Sequence, residues 1–384
     1  NFTSIISTVD TFRNCTSLTT IEEPFFPPAA ANWNDSSNMF SGCVSLMSFP
    51  DFSQITAGTG PKNITRMFLN CSLVTTPPDW SNLSRLTNIT ATFQGCTGLT
   101  SIGITSTDPL SNITTAIATW QNCSGLLSAN ISALTGLTNS ISILRNTPNI
   151  TTVTLAASYP SLTSSGSMFS ACGITSIDLT VFPALINANA MFRQSSMAGV
   201  VNIPPNFLTI TNAGALFRQT NITGVTGLTN LANSTTFLGA FFACTNLTGT
   251  LDVSTFTNAI DVTGAFNGCD LTDGALTGLT NAGLTSLSTF CFNNTSFANS
   301  LVSFDTSVAP NATNWDQTFR LTNVTAAYLD SWLIELDARG LTNGNIRYDA
   351  NTSNNHLDSA RSAAATTAFN NLLGKGWSRV GSYV

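Results

Sequence analysis

Few side chains in this 384-residue chain have the type and spacing needed for catalysis. Glycoside hydrolysis needs two carboxyl groups facing each other across the scissile bond. The candidates are Glu22/Glu23, Asp270/Asp273 and Glu335/Asp337. Adjacent Glu22 and Glu23 project apart, and Asp270 and Asp273 fall in a turn, where Asp usually serves its own backbone. Glu335 and Asp337 read as a solvated helix face. The single histidine, His356, lies in the polar run Ser353-Asn354-Asn355-His356, which sets aside most histidine-based acid–base chemistry. There is no G-x-S-x-G nucleophile turn and no phosphate-binding loop. The residues point away from an enzyme; a secreted carbohydrate-active enzyme is the third of three readings.

Nine cysteines remain, and their spacing is the strongest signal in the chain. Zinc is not expected, because no C-x-x-C pair occurs and His356 is the lone nitrogen candidate. No cofactor is implied. Instead Cys15, Cys43, Cys71, Cys96, Cys123, Cys172, Cys244 and Cys269 each follow an aromatic by three residues: Phe12, Phe40, Phe68, Phe93, Trp120, Phe169, Phe241 and Phe266. Leu144/Thr147, Phe192/Ser195, Phe217/Thr220, Phe292/Thr295 and Phe319/Thr322 continue the series with a hydroxyl in place of the thiol. Identical side chains stacked in parallel make poor disulfide geometry. The expectation is a ladder of free buried thiols that act as small apolar groups or cap turns through S–H.

These anchors need an element to position them. Their step falls in the range of leucine-rich repeats. After each anchor comes a short alternating pattern, as in Leu99–Ile104, Ile150–Leu155, Ile174–Leu179 and Leu247–Val253, the period-two signature of a half-buried strand. A Ser/Thr/Asn-rich return follows, with its own inward Phe52, Phe182, Phe207 or Phe256. The expected fold is a β-rich solenoid: a leucine-rich-repeat, right-handed coil with a parallel sheet on one face and about 13 coils. Each coil buries its apolar side only by stacking on its neighbours.

Composition narrows the function. Charged residues are 8% of the chain against about 25% in an average globular protein. With 13 Lys and Arg and a net charge of -6, the chain lacks the basic footprint of a nucleic-acid binder. No apolar run is long enough for a membrane span, and 42% hydrophobic residues exclude a disordered chain. N-x-S/T sequons such as Asn63, Asn112, Asn149 and Asn323 recur, several at a fixed phase of the repeat. The repeat itself accounts for much of their excess.

Residues 251–271, LDVSTFTNAIDVTGAFNGCDL, resemble the 25-residue unit of BspA-like leucine-rich-repeat surface proteins, a family found in bacterial surface proteins, mycoplasmal lipoproteins and phages. Residues 38–50, NMFSGCVSLMSFP, and 168–180, MFSACGITSIDLT, carry the M-F-x-x-C-x-x-L half of that unit. Residues 363–377, AAATTAFNNLLGKGW, are similar to the A-x-x-x-L-x-x-K-G-W ending of many such proteins. The resemblance implies a solenoid exposed on a cell or virion surface, used for adhesion or recognition and without catalysis.

The repeat is expected over residues 1–325, followed by a helical, α/β C-terminal cap over 326–384. Within it, Ala326–Ala338 reads as an amphipathic helix with Tyr328, Leu329, Trp332, Leu333 and Leu336 on one face and Gly340 as C-cap. A second helix is expected from about Ser359 to Leu373, with Phe369, Leu372 and Leu373 inward. No equivalent cap is visible before Phe12, so either the first coil stacks on another domain or chain, including a second copy end to end, or the sequence has been trimmed. The candidate binding surface is the outward row of the sheet: Ser101, Ser128, Asn130, Thr152, Thr154, Ser176, Asp178, Asn202, Thr226, Thr250 and Asp252. Its short polar side chains suit a surface glycan or a protein. A self-assembling filament subunit with no receptor role is the second reading. Ice binding by ranked threonines is disfavoured, because the threonine rows read from the strands are irregular.

Overall fold

The computed structural model describes residues 6–23, 25–26, 32–56, 58–254, 256–271, 276–277, 283–288, 310–316, 326–347 and 361–379. His356, Cys291, Asp273 and the anchors Phe292/Thr295 and Phe319/Thr322 lie outside them. The chain divides into two compact units, Asn1–Met197 and Ala198–Val384.

The first unit is a stack of coils joined by a parallel ladder. One residue per coil bridges to its equivalent in the next: Ser7, Asp35, Asn63, Asn88, Thr115, Asn139, Ser164 and Asn187, at steps of 23 to 28 residues. The aromatic anchor sits five residues after this rung residue. From the rung onward alternate backbone N–H groups point forward to the next coil. Ser36, Asn38, Phe40 and Gly42 donate to the carbonyls of Asn63, Thr65, Met67 and Leu69, and the same four-bond pattern recurs at each step. The intervening N–H groups close tight turns within the coil, as Met39 to Ser36 O, Ser41 to Asn38 O and Cys43 to Phe40 O. The buried segment thereby pairs its backbone without long strands.

Left-handed residues make this alternation possible. They recur three and seven positions after the rung, as Asn38 and Gly42, Arg66 and Asn70, Ala91 and Gly95. Glycine matters at Gly95 for a second reason: a Cβ there would lie 2.2 Å from Oδ1 of Asn70 in the preceding coil. Gly42 stands in the same relation to Asn14, at 2.3 Å. The anchors stack inside. Phe12, Phe40, Phe68, Phe93 and Trp120 follow one another at centroid spacings of 5.3, 5.6, 5.6 and 6.2 Å, with planes 3°, 2°, 17° and 3° apart. The returns supply a second inward set, including buried Phe52, Trp80, Tyr159 and Phe182.

The expected strands are shorter than the alternating pattern suggested. Ser128–Asn130 (β1) pairs in parallel with Thr152–Thr154 (β2), inside the expected Ile150–Leu155 segment. Leu99–Ile104 forms no strand. Gly103 there is left-handed at φ +68° and sits against Pro77, and the Pro77-Pro78 pair has no N–H groups for a ladder. Ile174–Leu179 forms none either. Ile174 follows Cys172 by two residues, where Ile150 follows Thr147 by three, so the alternation falls out of step with its neighbour.

The second unit repeats the same scheme. Ala198–Asn202 (β3) pairs with Asn221–Thr226 (β4), and Leu251–Asp252 (β5) with Leu276–Thr277 (β6), all in parallel. The rung bridges are Asn212 to Thr236, Thr236 to Asp261 and Ser286 to Asn314. Phe207 and Phe256 lie buried in short 3₁₀ turns of the returns.

The ladder then continues past residue 325, where the aromatic–cysteine motif ends. Asn314–Asp316 (β7), Asn345–Arg347 (β8) and Ser378–Arg379 (β9) form a parallel sheet in that order. Helices Ala326–Ala338 (α1) and Ala363–Gly374 (α2) occupy the connections. In α1, Leu329, Trp332, Leu333 and Leu336 are buried, and Gly340 follows at φ +69°. Helix α2 starts later than the expected Ser359, because Ser362 caps it by accepting from the Ala365 N–H. Leu373, expected inward, is 42% exposed. The buried stripe is Ala365, Ala368, Phe369 and Leu372, which leaves Leu373 at its margin. Lys375 Nζ reaches Asp337 Oδ1 at 2.5 Å, and buried Trp377 donates its indole N–H to Leu341 O. Burial pulls the Asp337 carboxyl up, but the Lys375 ammonium and Asn371 amide outweigh it and hold it below the usual range.

Candidate binding faces and thiol ladder

The structure places the outward polar residues of the expected sheet face in two different situations. Ser128 lies opposite Thr152 and Asn130 opposite Thr154 in adjacent coils. Ser128, Thr152 and Thr154 are exposed, as are Ser176, Asp178, Asn202, Thr226, Thr250 and Asp252, whereas Ser101 and Asn130 are half-buried. Asn202 and Thr226 are also in register, and the Thr226 hydroxyl donates to Asn202 Oδ1 at 3.0 Å.

Three of these residues spend their oxygens on their own turns. Asp178 Oδ1 accepts from the Thr180 hydroxyl at 2.6 Å and N–H at 2.9 Å. Asn130 Oδ1 accepts from the Ser132 hydroxyl at 2.7 Å and N–H at 3.0 Å. Asp252 accepts from the Ser254 N–H at 2.9 Å. Hydrogen bonds from Thr180 and Ser254 hold the Asp178 and Asp252 carboxyls below their ordinary range. Their work is to set the strand-to-return corner. The hydroxyls of Ser128, Thr152 and Thr154 have no such duty among the described residues and face outward.

A more regular row lies immediately before the rung. Thr87, Thr114, Thr138 and Thr163 occupy this position in four successive coils, all exposed. Each hydroxyl donates back to the preceding coil, to the carbonyls of Lys62, Thr87, Thr114 and Thr138 at 3.3, 3.4, 3.0 and 3.3 Å. That fixes the rotamers and leaves methyls and oxygen lone pairs toward solvent. The strand-based reading missed this row. Its signal was present as Thr followed by Asn, Ser or Thr, six residues before each anchor, in Thr87-Asn88, Thr114-Thr115, Thr138-Asn139 and Thr163-Ser164.

The thiols form an inner ladder. Cys43, Cys71, Cys96, Cys123, Cys172, Cys244 and Cys269 are free and buried. Cys15, expected to share their burial, is exposed. It belongs to the first rung, with no described coil on its outer side. Six of the buried thiols donate to the anchor carbonyl of the coil before: Cys43 to Phe12 O at 3.1 Å, Cys71 to Phe40 O at 3.3 Å, Cys96 to Phe68 O at 3.2 Å, and Cys123, Cys244 and Cys269 to Phe93, Phe217 and Phe241 O at 2.9 Å. That carbonyl already accepts an N–H from its own coil, so the S–H fills its second lone pair. Where hydroxyls replace the thiol, Thr147, Ser195 and Thr220 turn inward to Leu144, Phe192 and Phe217 O of their own coil. Burial pushes the Cys71 and Cys123 thiols up to about 12 and Cys96 well above the ordinary range.

Three of the six carboxylates in the candidate catalytic pairs are engaged with other groups. Glu23 accepts from the Phe25 and Asp51 N–H groups, Glu335 pairs with Arg339 at 3.5 Å, and Asp337 holds Lys375. Among the described residues no three His, Cys, Asp or Glu side chains converge as a metal site. No described helix is long and apolar enough to cross a membrane.

No protein-family model matches the chain, and no curated protein matches it. Among solved structures it is similar to a leucine-rich repeat protein from Bacteroides ovatus, at 16% identity and a TM-score of 0.34, over 77% of this chain and 79% of that one.

Proposed function

We propose that the chain is a non-enzymatic, extracellular repeat protein, a structural and adhesive part of a cell-surface or virion appendage. Its outward polar face would recognise a surface glycan or a protein. One observation supports this reading above the others: the hydroxyls of Ser128, Thr152 and Thr154 are exposed in adjacent, in-register coils and are bonded to no described residue. Neighbouring strands repeat them about every 4.8 Å, a spacing that suits the closely set hydroxyls of a saccharide chain. Short hydroxyl side chains also lose little rotamer entropy on binding.

The test is a glycan array, followed by titration of the hits. The double variant Thr152→Ala/Thr154→Ala is expected to weaken binding by about tenfold, the loss of one to two net hydrogen bonds, while the thermal transition stays put. Unchanged binding in that variant would remove this face from the reading. Turnover of any polysaccharide on the array would overturn the non-enzymatic assignment.

A further inference from the structure

We propose that the first unit carries an anion-binding site at Arg145 and Arg193, fitted to two successive acidic groups of a carboxylated or sulfated saccharide chain. The site lies on the rung segment of the coil, apart from the Ser128, Thr152 and Thr154 hydroxyls, and does not depend on what those bind.

Charge is scarce in this part of the ladder, and it is sorted by position. Between residues 87 and 197 the chain carries four charged side chains, Asp108, Arg145, Asp178 and Arg193. Both carboxylates serve turns near the returns: Asp108 Oδ2 accepts from the Thr105 N–H at 2.6 Å, and Asp178 Oδ1 accepts from Thr180. Both arginines stand six positions after a rung residue, Asn139 and Asn187. The rung segments 87–95, 114–122, 138–146, 163–171 and 186–194 contain no acidic residue. Neither guanidinium meets a carboxylate among the described residues.

Register fixes their separation. The Asn146 N–H donates to Ser170 O at 2.9 Å, and the Ala171 N–H to Arg193 O at 2.7 Å. Arg145, Ser170 and Arg193 therefore stand in line in three successive coils. Two coil steps set the arginine Cα atoms about 10 Å apart, comparable with the length of a disaccharide. Ser170 is small and buried, so no long side chain stands between the two guanidinium groups. Arg145 is exposed and Arg193 half-buried. The Arg193 Nε is enclosed and has no acceptor among the described residues. A guanidinium held partly inside with a donor unpaired has lost hydration that its surroundings do not restore. An anion on its outer Nη groups supplies the missing counter-charge.

The donors select the ligand. Each guanidinium offers a planar fork that fits a carboxylate or a sulfate through two parallel hydrogen bonds. Half-buried Gln94 and Gln121 hold the same row position in the two coils before Arg145. Their amides both donate and accept, as sugar hydroxyls require. Nucleic acid fits this row poorly. It places one charge about every 1.7 Å, whereas the row offers two cations on a chain of net charge -6, which repels a dense polyanion at long range. A saccharide with one acidic group per disaccharide matches both the number of guanidinium groups and their spacing.

The test is isothermal titration calorimetry of the full chain with two acidic octasaccharides. Hyaluronan carries a carboxylate and no sulfate; keratan sulfate carries sulfate and no carboxylate. At least one is expected to bind, with affinity that falls as salt rises, and the one that binds names the acidic group. Carboxyl-reduced hyaluronan and desulfated keratan are the uncharged controls, expected to bind at least tenfold more weakly than their parents. Arg145→Gln is expected to weaken binding by about tenfold with the thermal midpoint unchanged, and Arg193→Gln to do the same. Should the half-buried Arg193 variant fail to fold, exposed Arg145 still carries the test. Arg66→Gln, at an exposed arginine outside the row, and Thr152→Ala/Thr154→Ala should leave the affinity as it is. Absence of binding by both acidic chains would overturn the proposal. So would equal binding of the uncharged forms, binding indifferent to the Arg145 change, an equal loss in either control variant, or tighter binding of a single-stranded oligonucleotide of the same charge.

Discussion

Alkaline pH should destabilise this protein through its buried thiols, by an amount the ladder allows one to work out. Cys71, Cys96 and Cys123 occupy three successive coils. Desolvation raises all three from the ordinary value of 9.0, Cys71 and Cys123 to about 12 and Cys96 further. In the unfolded chain they ionise near 9. A folded value above the unfolded one means the stabilisation is complete below pH 9 and is lost as pH rises from 9 toward 12. Between pH 8 and pH 10 the unfolded thiol gains about one decade of ionisation that the native thiol does not share, or about 1.4 kcal/mol each. Three thiols sum to about 4 kcal/mol, a large part of the usual 5–15 kcal/mol of a domain. The assay is urea unfolding followed by tryptophan fluorescence at pH 8 and pH 10 with reductant present. The comparison is the triple variant Cys71→Thr/Cys96→Thr/Cys123→Thr. Threonine is the replacement the fold already accepts at this rung, in Thr147 and Thr220. Tyr, Lys and Arg titrate in both proteins and cancel. The wild type is expected to lose about 4 kcal/mol more than the variant over this interval. Equal losses would show that the thiols are not desolvated as their burial implies.

Gly125→Ala should cost about 1–3 kcal/mol by overpacking, since its Cβ would sit 2.3 Å from Thr97 O and 3.0 Å from Leu99 O of the preceding coil. Gly374→Ala, with nothing within 4 Å of the new Cβ, is the control and should be neutral or slightly stabilising; thermal melts of both decide. Phe68→Ala removes a ring stacked at 5.6 Å on both Phe40 and Phe93 and should cost about 3–5 kcal/mol in denaturant titration. Asn63→Asp deletes the amide that donates to Asp35 Oδ1 at 3.3 Å and Ser37 Oγ at 3.0 Å, and sets a second carboxylate beside Asp35. That variant should lose stability relative to wild type as pH rises through about 4 to 7, because mutual repulsion raises the folded carboxyl values; parallel pH–stability curves would refute it.

Sequence pattern carried the repeat because its strongest constraint is covalently local. An aromatic and a small residue three positions apart define one turn, and the turn recurs at each coil. The Phe12-to-Trp120 stack and the thiol ladder were both legible on that basis. The ladder's hydrogen bonding was less so. It runs through left-handed positions filled by Asn38, Arg66, Ala91 and Ala118 as well as by glycine, with no common residue type to mark them. The alternating segments after the anchors overstated the strands, because pairing depends on the neighbouring coil's phase and on residues such as Pro77 and Pro78. The continuation of the ladder through Asn345 and Ser378 was hidden for a related reason. Helices α1 and α2 replace the short returns, so the spacing of the rungs changes to 31 and 33 residues.

The same ladder accounts for the scarcity of charge. Equivalent side chains in adjacent coils lie about 4.8 Å apart. Two like charges at that separation repel by about 0.9 kcal/mol even at the dielectric constant of water, and several times that near a protein surface. A repeat that copied a charged residue into every coil would multiply this cost along the whole row. Ser, Thr and Asn escape it, and they can also donate along the row. The Thr87-to-Thr163 hydroxyls do so, as does Asn146 Nδ2 to Asn122 Oδ1 at 3.0 Å. The exceptions follow the same physics. Glu23 and Asp51 hold neighbouring corner positions in the first unit, and each gives its oxygens to backbone N–H groups: Glu23 to Phe25 and Asp51, Asp51 to Ser53. Asp35 is followed in its row by Asn63, whose amide faces it. Charge is free to reappear where the short repeat gives way to helices, and there it is paired, Lys375 with Asp337 across 38 residues and Arg339 with Glu335 one helical turn apart. The neutral hydroxyl coat therefore follows from stacking itself, before any ligand is considered. A ligand on the threonine row meets methyls and lone pairs, since that row's donors are spent within it, whereas the Ser128, Thr152 and Thr154 hydroxyls keep their donors for a ligand.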